Sequence, residues 1–415
     1  MDLRTAVNPT FYTAKTTAFM LAGAGDADAK EFIADMQLQN TLAQNSDKDE
    51  KESGFKTPLT EEDKKAIMTG STLSVEARYK AISRILTENG YKNLLDIACG
   101  FTPRSLFCEK AGIDYVGMDL PVSAEQLQDF AARKYPHHTH ATYVGGDATN
   151  AASLKSAANL LHGELMISCE GLILYLSKDE IEQLIGGIRE VLKEHGGAWY
   201  TSDWGVDYEA FGTFMMSSPE TVEFYRKAKE HTMKASNIVN PENRFGSDEE
   251  LIDFLKAHGM KAEKIPFYTG KEELNSIHAL TGENLEKVKE LLAKCFVWKM
   301  TVDETASVSE KISGAKEVED LAIQYIVEGE KMTCITRGRI DTISAPALLE
   351  IIESRGYGVK SLTVDAARLD YISSAGLRVL LMAVKKFGEV KVINTSDEVK
   401  EIFETTGFDQ MMTLE

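Results

Sequence analysis

The stretch Leu94 to Arg104, LLDIACGFTPR, carries the first clear statement of fold in this chain. An apolar run ends in an acid, Asp96, followed by Ala98, Cys99 and Gly100 before a helix-like segment begins. A glycine at such a point lets the backbone approach a ligand closely, and open α/β sheets bind ligands at the carboxyl ends of parallel strands. Neither GxGxxG nor GxxxxGK[ST] is present, so neither a dinucleotide nor a triphosphate is the natural ligand.

Outward from this stretch the pattern recurs. NLLDIAC, DYVGMDL, ATYVGGD, ELMISCEG and GAWYTSDW each read as a buried strand, and SAEQLQDFAARKY and KDEIEQLIGGIREVLKE as intervening helices. That alternation predicts parallel strands with crossover helices, hence a doubly wound α/β sheet. EELIDFLKAHGMKAEKIPFY adds a helix and a strand, and AKCFVWKMTVD a last strand. Upstream, residues 1–43 read as helical, NSDKDEKESG (45–54) as a loop, and Thr60 with Asp63 as a capping box opening TEEDKKAIM. A further helix, SVEARYKAISRILTENG, stops at Gly90. Trp204 to Arg244 interrupts the rhythm and is long enough for a lid or a substrate-binding insertion, its Phe, Tyr and Met content suiting an apolar pocket, although such a stripe is more often core.

DETASVSEKISGAKEVED (Asp303 to Asp320) is small, polar and charged without apolar period, the composition of a linker. Beyond it LAIQYIVEG and KMTCITRGRID read as a strand pair, SAPALLEIIES as a helix, VKSLTVDAARL as a strand, SSAGLRVLLMAVKKF as a helix, EVKVINT as a strand and DEVKEIFETTGF as a closing helix. The expected organisation is a larger α/β domain over 1–302 with an N-terminal helical cap, a linker over 303–318, and a second, smaller α/β domain over 319–415.

A length of 415 residues with 43% hydrophobic and 27% charged residues is that of a folded chain of more than one domain. The net charge of -19 argues against nucleic acid as a partner, because phosphate backbones are bound by Lys and Arg. Five widely spaced cysteines suit reduced buried thiols better than a disulfide framework. No run approaches the roughly 18 apolar residues of a membrane helix, and MDLRTAVNPTFYTAK lacks a signal peptide's apolar region, so no membrane association and a cytoplasmic location are expected. HHTH at His137 to His140 has metal-ligand residue types but no cysteine or carboxylate at ligand spacing, no cysteine pair has zinc spacing, and GxSxG is absent; no metal site is expected.

The strand ends carry the chemistry. Asp119, closing the second strand in DYVGMDLP, is placed to accept hydrogen bonds from ribose hydroxyls, and Asp147 in GGDAT from an adenine amino group. Glu170 closes the fourth strand in CEGLILYL. Any one of these acids alone is better explained as a helix cap or a solvated loop end. Asp96, Asp119, Asp147 and Glu170 at four consecutive strand ends make a ring of acids around one cleft, unfavourable for phosphate and favourable for a cationic nucleoside. Tyr175 and Asp203, just past the fourth and fifth strands, either face an acceptor or pack and cap.

LLDIACGFTPR, GMDLP, GGDAT and CEGLILYL, in this order and spacing, resemble the motifs of class I S-adenosylmethionine-dependent methyltransferases, and more narrowly the leucine carboxyl methyltransferase family with its polyketide O-methyltransferases. Thr102-Pro103-Arg104 stands where that family has Asp-Thr-Arg. The resemblance implies S-adenosyl-L-methionine as cofactor, with Asp96, Ala98 and Gly100 walling its methionine pocket, Asp119 binding ribose, Asp147 and Ala148 adenine, and Glu170 on the sulfonium side. Leu120 and Gly146 join these as cofactor-binding positions, and Arg78 in VEARYK resembles the arginine that holds the cofactor carboxylate.

GRIDTISAPALLE and LDYISSAGLRVLL resemble the second strand, first helix and signature loop of the STAS domain of sulfate transporters and anti-sigma factor antagonists. Ser374 aligns with the serine phosphorylated in the antagonists, while Ser373 replaces the usual preceding Asp. A helix cap and a phosphorylation site are both open for Ser374. Together the two resemblances imply an O-methyltransferase acting on a small organic acceptor, carboxylate or hydroxyl, regulated or docked through a STAS domain whose partner is an anti-sigma factor or serine kinase. The alternative is a signalling protein whose first domain senses the cofactor or its demethylated product.

Overall fold

Thr60 opens the longest helix among the described residues by the box its sequence predicts: its hydroxyl accepts the Asp63 N–H at 3.0 Å and the Asp63 carboxylate accepts the Thr60 N–H at 3.0 Å. The computed structural model describes residues 9–38, 58–135, 140–216, 218–235, 245–304, 311–356 and 359–415. They fall into two compact units, Met1–Ala306 and Ser307–Glu415.

The first unit begins with helices α1 (Pro9–Gly23), α2 (Ala27–Met36) and α3 (Glu61–Glu88). Strand and helix then alternate: β1 (Asn93–Ile97), α4 (Arg104–Ala111), β2 (Asp114–Asp119), α5 (Pro121–Lys134), β3 (Ala141–Gly145), α6 (Ala151–Ala158), β4 (Leu165–Cys169), α7 (Lys178–His195) and β5 (Gly197–Thr201). Helices α8 (Tyr208–Thr213), α9 (Pro219–Ala235) and α10 (Asp248–Ala257) lead to β6 (Met260–Pro266), α11 (Gly282–Lys294) and β7 (Phe296–Val302). The seven strands order β3-β2-β1-β4-β5-β7-β6, with the first five parallel and β7 antiparallel to both neighbours. Strands β1 and β4 are buried along their whole length, as expected where helices cover both faces of a sheet. Strand order reverses between β1 and β4, which is where a doubly wound sheet opens a crevice.

One expectation is corrected upstream of the sheet. TEEDKKAIM and SVEARYKAISRILTENG are not two helices but the single 28-residue α3. Gly70 lies inside it, and a Cβ there would come 1.8 Å from the Phe211 carbonyl oxygen. Glycine interrupts the propensity pattern there because α8 docks its backbone against the helix, not because the helix ends. The predicted loop at 45–54 lies outside the described residues, as do His137 and His138 of HHTH. His140 is exposed and its Nδ1 contacts Asp114 Oδ1 at 2.5 Å, which raises its pKa. The Trp204–Arg244 insertion folds, as far as it is described, into α8 and α9.

The second unit holds β8 (Lys311–Val318), β9 (Leu321–Glu328), β10 (Lys331–Ile340), α12 (Ala345–Arg355), β11 (Ser361–Ile372), α13 (Ser374–Phe387), β12 (Glu389–Ile393), α14 (Asp397–Thr406) and the short β13 (Thr413–Leu414). Its sheet orders β13-β12-β11-β10-β9-β8, parallel from β13 to β10 and antiparallel across β10-β9-β8. Burial alternates along β9, so one face meets the core formed with Leu348, Ile352, Leu377 and Leu380. Strand β8 corrects the linker expected over 303–318: Lys311–Val318 is the edge strand, paired residue by residue with β9 from Glu328 to Leu321. Its sequence is polar because an edge strand needs few apolar side chains to stay paired.

All five cysteines are buried and free, and burial raises the thiol pKa of each. Among the described residues no helix is long and apolar enough to cross a membrane, and no group of three or more His, Cys, Asp or Glu is placed to hold a metal ion.

Candidate functional site

The loop after β1 is held in an unusual conformation. Ala98 and Gly100 have φ of 52° and 54°, so two residues in three occupy the left-handed region, which costs a non-glycine residue such as Ala98 on the order of 1 kcal/mol or more. Two bonds from β2 hold it: Cys99 N–H donates to the Met118 carbonyl at 3.1 Å, and Gly100 N–H donates to Asp119 Oδ2 at 2.8 Å. The other Asp119 oxygen accepts Leu120 N–H at 2.8 Å. Burial raises the Asp119 pKa, partly offset by those two amides. Asp119 and the glycine loop are thus one structural piece at the mouth of the crevice.

Asp96 lies below it, buried at the end of β1, accepting from Ser168 Oγ at 2.5 Å and Tyr115 OH at 3.2 Å. Burial raises its pKa against the pull of Arg104. Arg104, the first residue of α4, is 2% exposed. It donates through Nη1 to the Tyr79 carbonyl at 3.0 Å and Ser83 Oγ at 2.7 Å, and through Nη2 to Glu170 Oε2 at 3.0 Å. Its Nε sits 4.0 Å from Asp96 Oδ2, beyond hydrogen-bond range. The Tyr79 ring lies 4.2 Å from the guanidinium carbon, a cation–π contact.

Glu170 therefore has one oxygen on Arg104 and the other 3.7 Å from Arg78 Nε and 3.4 Å from Ser202 Oγ. Burial pushes its pKa up to about 7 despite the two arginines, with Asp96 and Asp203 adding to the rise. Arg78, midway along α3, reaches the same point and donates to Tyr208 OH at 3.2 Å. The structure so gathers Arg78, Asp96, Ala98, Gly100, Asp119 and Glu170 at the ends of β1, β2 and β4.

Asp147 and its neighbours stand apart from this ionic cluster. Asp147 is exposed, and its Oδ1 accepts from the N–H and hydroxyl of Thr149 at 2.8 and 2.7 Å, a local turn. Gly146 N–H donates to the Asp119 carbonyl at 2.9 Å, so this loop is tied to β2 by its backbone. Ala148 is half-buried, and Leu120 is 48% exposed, an apolar side chain left at the crevice mouth.

Of the two acceptor-side candidates, Asp203 is fully engaged by backbone. Its carboxylate accepts Gly171 N–H at 2.6 Å, Leu172 N–H at 3.0 Å and Ile173 N–H at 3.0 Å. It caps the turn after β4, and the lone pairs that accept these three amides are not free to take a proton from an acceptor. Tyr175, half-buried, closes that turn with its N–H on the Leu172 carbonyl at 2.9 Å.

Several residues of the site escaped the pattern of the sequence, among them Arg104, which bonds Glu170. Tyr208 reaches Arg78 from an insertion far along the chain, and Ser168 reaches Asp96 from inside a strand. Lys15, on α1, places its Nζ 5.2 Å from the Phe101 ring centroid beside the glycine loop, and burial lowers its pKa.

In the second unit the serine pair divides its roles. Ser373 is the N-cap of α13: its Oγ accepts Ala375 N–H at 3.2 Å and Gly376 N–H at 3.5 Å, and its own N–H donates to the Ile340 carbonyl at 2.8 Å. Ser374 is the first helical residue and is exposed. Asp341 Oδ1 accepts Ile343 and Ser344 N–H at 2.9 and 3.1 Å, and these bonds lower its pKa.

The model of the STAS domain matches residues 323–415. Over 87 residues the chain is 34% identical to BtrV of Bordetella bronchiseptica, a protein named as an anti-sigma factor antagonist, covering 20% of this chain and 74% of that one. The chain belongs to the STAS-domain family. An anti-sigma factor antagonist from Mycobacterium paratuberculosis is 20% identical, with a TM-score of 0.22, over 24% of this chain and 88% of that one. On the larger side, magnesium protoporphyrin IX methyltransferase from Synechocystis PCC 6803, solved with bound SAH, is 12% identical with a TM-score of 0.31, over 61% of this chain and 92% of that one.

Within the STAS domain the serine loop is anchored from beneath. A Cβ on Gly376 would come 2.6 Å from Ile340 Cγ2 and 2.7 Å from Ile372 Cγ1, so the first turn of α13 sits directly on the ends of β10 and β11. Ile343, in the loop after β10, is 75% exposed, the largest exposure of any big apolar side chain described.

Proposed function

We propose that the first unit binds S-adenosyl-L-methionine and transfers its methyl group to a small organic acceptor, and that the STAS domain regulates or docks this activity. The Asp119–Gly100 hydrogen bond carries the proposal. It places a carboxylate at the end of β2 and a left-handed glycine loop after β1 on the same crevice, at the strand-order reversal. Asp119 then takes the ribose hydroxyls, Leu120 and Ala148 flank the adenine with Gly146 and Asp147 at its edge, and Asp96, Ala98, Gly100 and Glu170 surround the methionine part. Arg78 holds its carboxylate. The bound cofactor supplies an activated methyl group on a sulfonium, and the chain's contribution is to hold it in line with the incoming nucleophile.

A carboxylate acceptor fits better than a hydroxyl. Methylating a hydroxyl calls for a general base, and the carboxylate best placed to be one, Asp203, is consumed by three backbone amides. Tyr175 remains as the other acceptor-side candidate. For the STAS domain, Ser373 fills the cap and leaves Ser374 exposed at a helix N-terminus, where a phosphate meets favourable backbone dipoles. A serine kinase or an anti-sigma factor is the partner class.

Calorimetry with S-adenosylmethionine on the wild type and on Asp119→Ala tests cofactor binding, and equal affinity would sink the proposal. Methyl transfer to a panel of small carboxylic acids and phenols tests turnover. A chain that binds the cofactor but stays silent across the panel supports a second reading, a cofactor sensor reporting through its STAS domain. The likeness to an anti-sigma factor antagonist favours that reading for the signalling half. Incubation with a serine kinase should label the wild type and fail on Ser374→Ala.

A further inference from the structure

Arg78 is under-used for a buried guanidinium. A guanidinium carries five N–H donors in a rigid fork, and its side chain here is only 14% exposed. Nη1 donates to Tyr208 OH at 3.2 Å, while Nε is 3.7 Å from Glu170 Oε1, too far for a hydrogen bond. Among the described residues no further hydrogen bond holds it, although the charge of Asp203 acts on it as that of Glu170 does. Leaving donors of a buried cation unpaired is costly, and a fork with free donors is the natural match for a carboxylate taken in two-point fashion.

The guanidinium is kept from collapsing onto Glu170 by two features. Arg104 already occupies Glu170 Oε2 at 3.0 Å, and Tyr208 holds Nη1, with its ring centroid 5.8 Å from Cζ of Arg78. Tyr208 itself is firmly placed. It is the first residue of α8, whose N-cap Asp207 accepts Glu209 and Ala210 N–H at 3.1 and 2.9 Å. The same helix lays the Phe211 carbonyl against the α3 backbone at Gly70, two turns before Arg78 on that helix. Gly171, next to Glu170, closes the space on another side: a Cβ there would lie 3.3 Å from Arg78 Nη1.

We infer that Tyr208 is a positioning residue: its hydroxyl holds the Arg78 guanidinium away from Glu170 and aimed at the carboxylate of an incoming amino-acid ligand. The inference rests on the cofactor proposal above, and it makes the insertion, not the sheet, responsible for reading the cofactor's amino-acid tail. Without the hydroxyl, Arg78 turns its fork onto Glu170 and the tail loses its counter-ion.

The test compares two nucleosides on the full chain by calorimetry. S-adenosylhomocysteine carries the amino-acid tail; 5′-methylthioadenosine has the same nucleoside and thioether without it. Tyr208→Phe keeps the ring and removes one hydroxyl. It should weaken S-adenosylhomocysteine about tenfold, as expected for loss of a hydrogen bond to a charged group, and leave 5′-methylthioadenosine within about twofold. In an Arg78→Met background the same change should have no further effect on either nucleoside. Equal losses for both nucleosides, or a full additional loss in the Arg78→Met background, would overturn the role of Tyr208. If the wild type binds neither nucleoside, the cofactor proposal itself fails and takes this one with it, a result distinct from the first two. Thermal unfolding of each variant shows that the comparison is made on folded protein.

Discussion

Arg104 Nη2 donates to Glu170 Oε2 at 3.0 Å, joining the start of α4 to the end of β4 beneath the ligand crevice. Arg104 is 2% exposed and the Glu170 side chain 11% exposed, so the pair is formed away from water. Removing one partner strands the other as a buried charge, typically about 3–5 kcal/mol. Arg104→Met should lower the urea midpoint of the first unit accordingly, and Arg104→Met with Glu170→Leu should recover most of the loss. A double variant as unstable as the single one would show that the charge pair is not the source.

Glu170 also predicts a pH dependence. Its pKa is raised by burial from the ordinary 4.5 to about 7, so the folded chain binds this proton more tightly than the unfolded chain. The contribution to stability is fully present below about 4.5 and is lost as pH rises to about 7, by roughly 3 kcal/mol in total. In ligand-free protein, Glu170→Gln should flatten the fall in stability between about pH 5 and pH 7. An unchanged slope in chemical denaturation across that range would contradict the assignment.

Asp203 is predicted to act through the turn it holds. Asp203→Ala frees the amides of Gly171, Leu172 and Ile173 and should cost about 1–3 kcal/mol, with methyl transfer falling along with it. Because Asp203 is not a base in this geometry, Asp203→Asn should lower the rate without changing the shape of its pH profile. Loss of one limb of that profile would restore Asp203 to the chemistry.

At Gly70, a Cβ would meet the Phe211 carbonyl oxygen at 1.8 Å, a contact with backbone that no rotamer relieves. Alanine normally favours a helix interior over glycine by about 1 kcal/mol. Here Gly70→Ala should instead destabilise by about 3 kcal/mol, as overpacking does, and displace α8 together with Tyr208. A rise in melting temperature would mean that α8 does not dock as described.

The serine pair separates in the same way. Ser373→Ala removes the cap of α13 and should cost about 1 kcal/mol, whereas Ser374→Ala on the exposed first turn should stay within about 0.5 kcal/mol. Comparable losses at both positions would show that Ser374 shares the capping.

The strands of both sheets were legible because burial on two faces demands continuous apolar runs and crossover helices demand amphipathic ones. LLDIACG and DYVGMDL announce β1 and β2 in any context, and the acids at their ends can be read by position alone. Glu170 could be placed at the end of β4 in the same way, though not its partners. The STAS domain was equally legible, apart from the short β13 and from β8, whose polar edge-strand sequence is indistinguishable from a linker. Whether an acid is free or consumed could not be read from sequence, because hydrogen-bond partners lie at arbitrary distances along the chain. Asp203 caps a turn 30–32 residues upstream, and Arg78 meets Tyr208 across 130 residues. In sequence Gly70 is a weak point in a helix; in the folded chain it is the seat for another backbone. Periodicity, propensity and residue type fixed the elements and their order, while the tertiary structure decided which polar groups face one another, since low-dielectric contacts form between elements that only folding brings together.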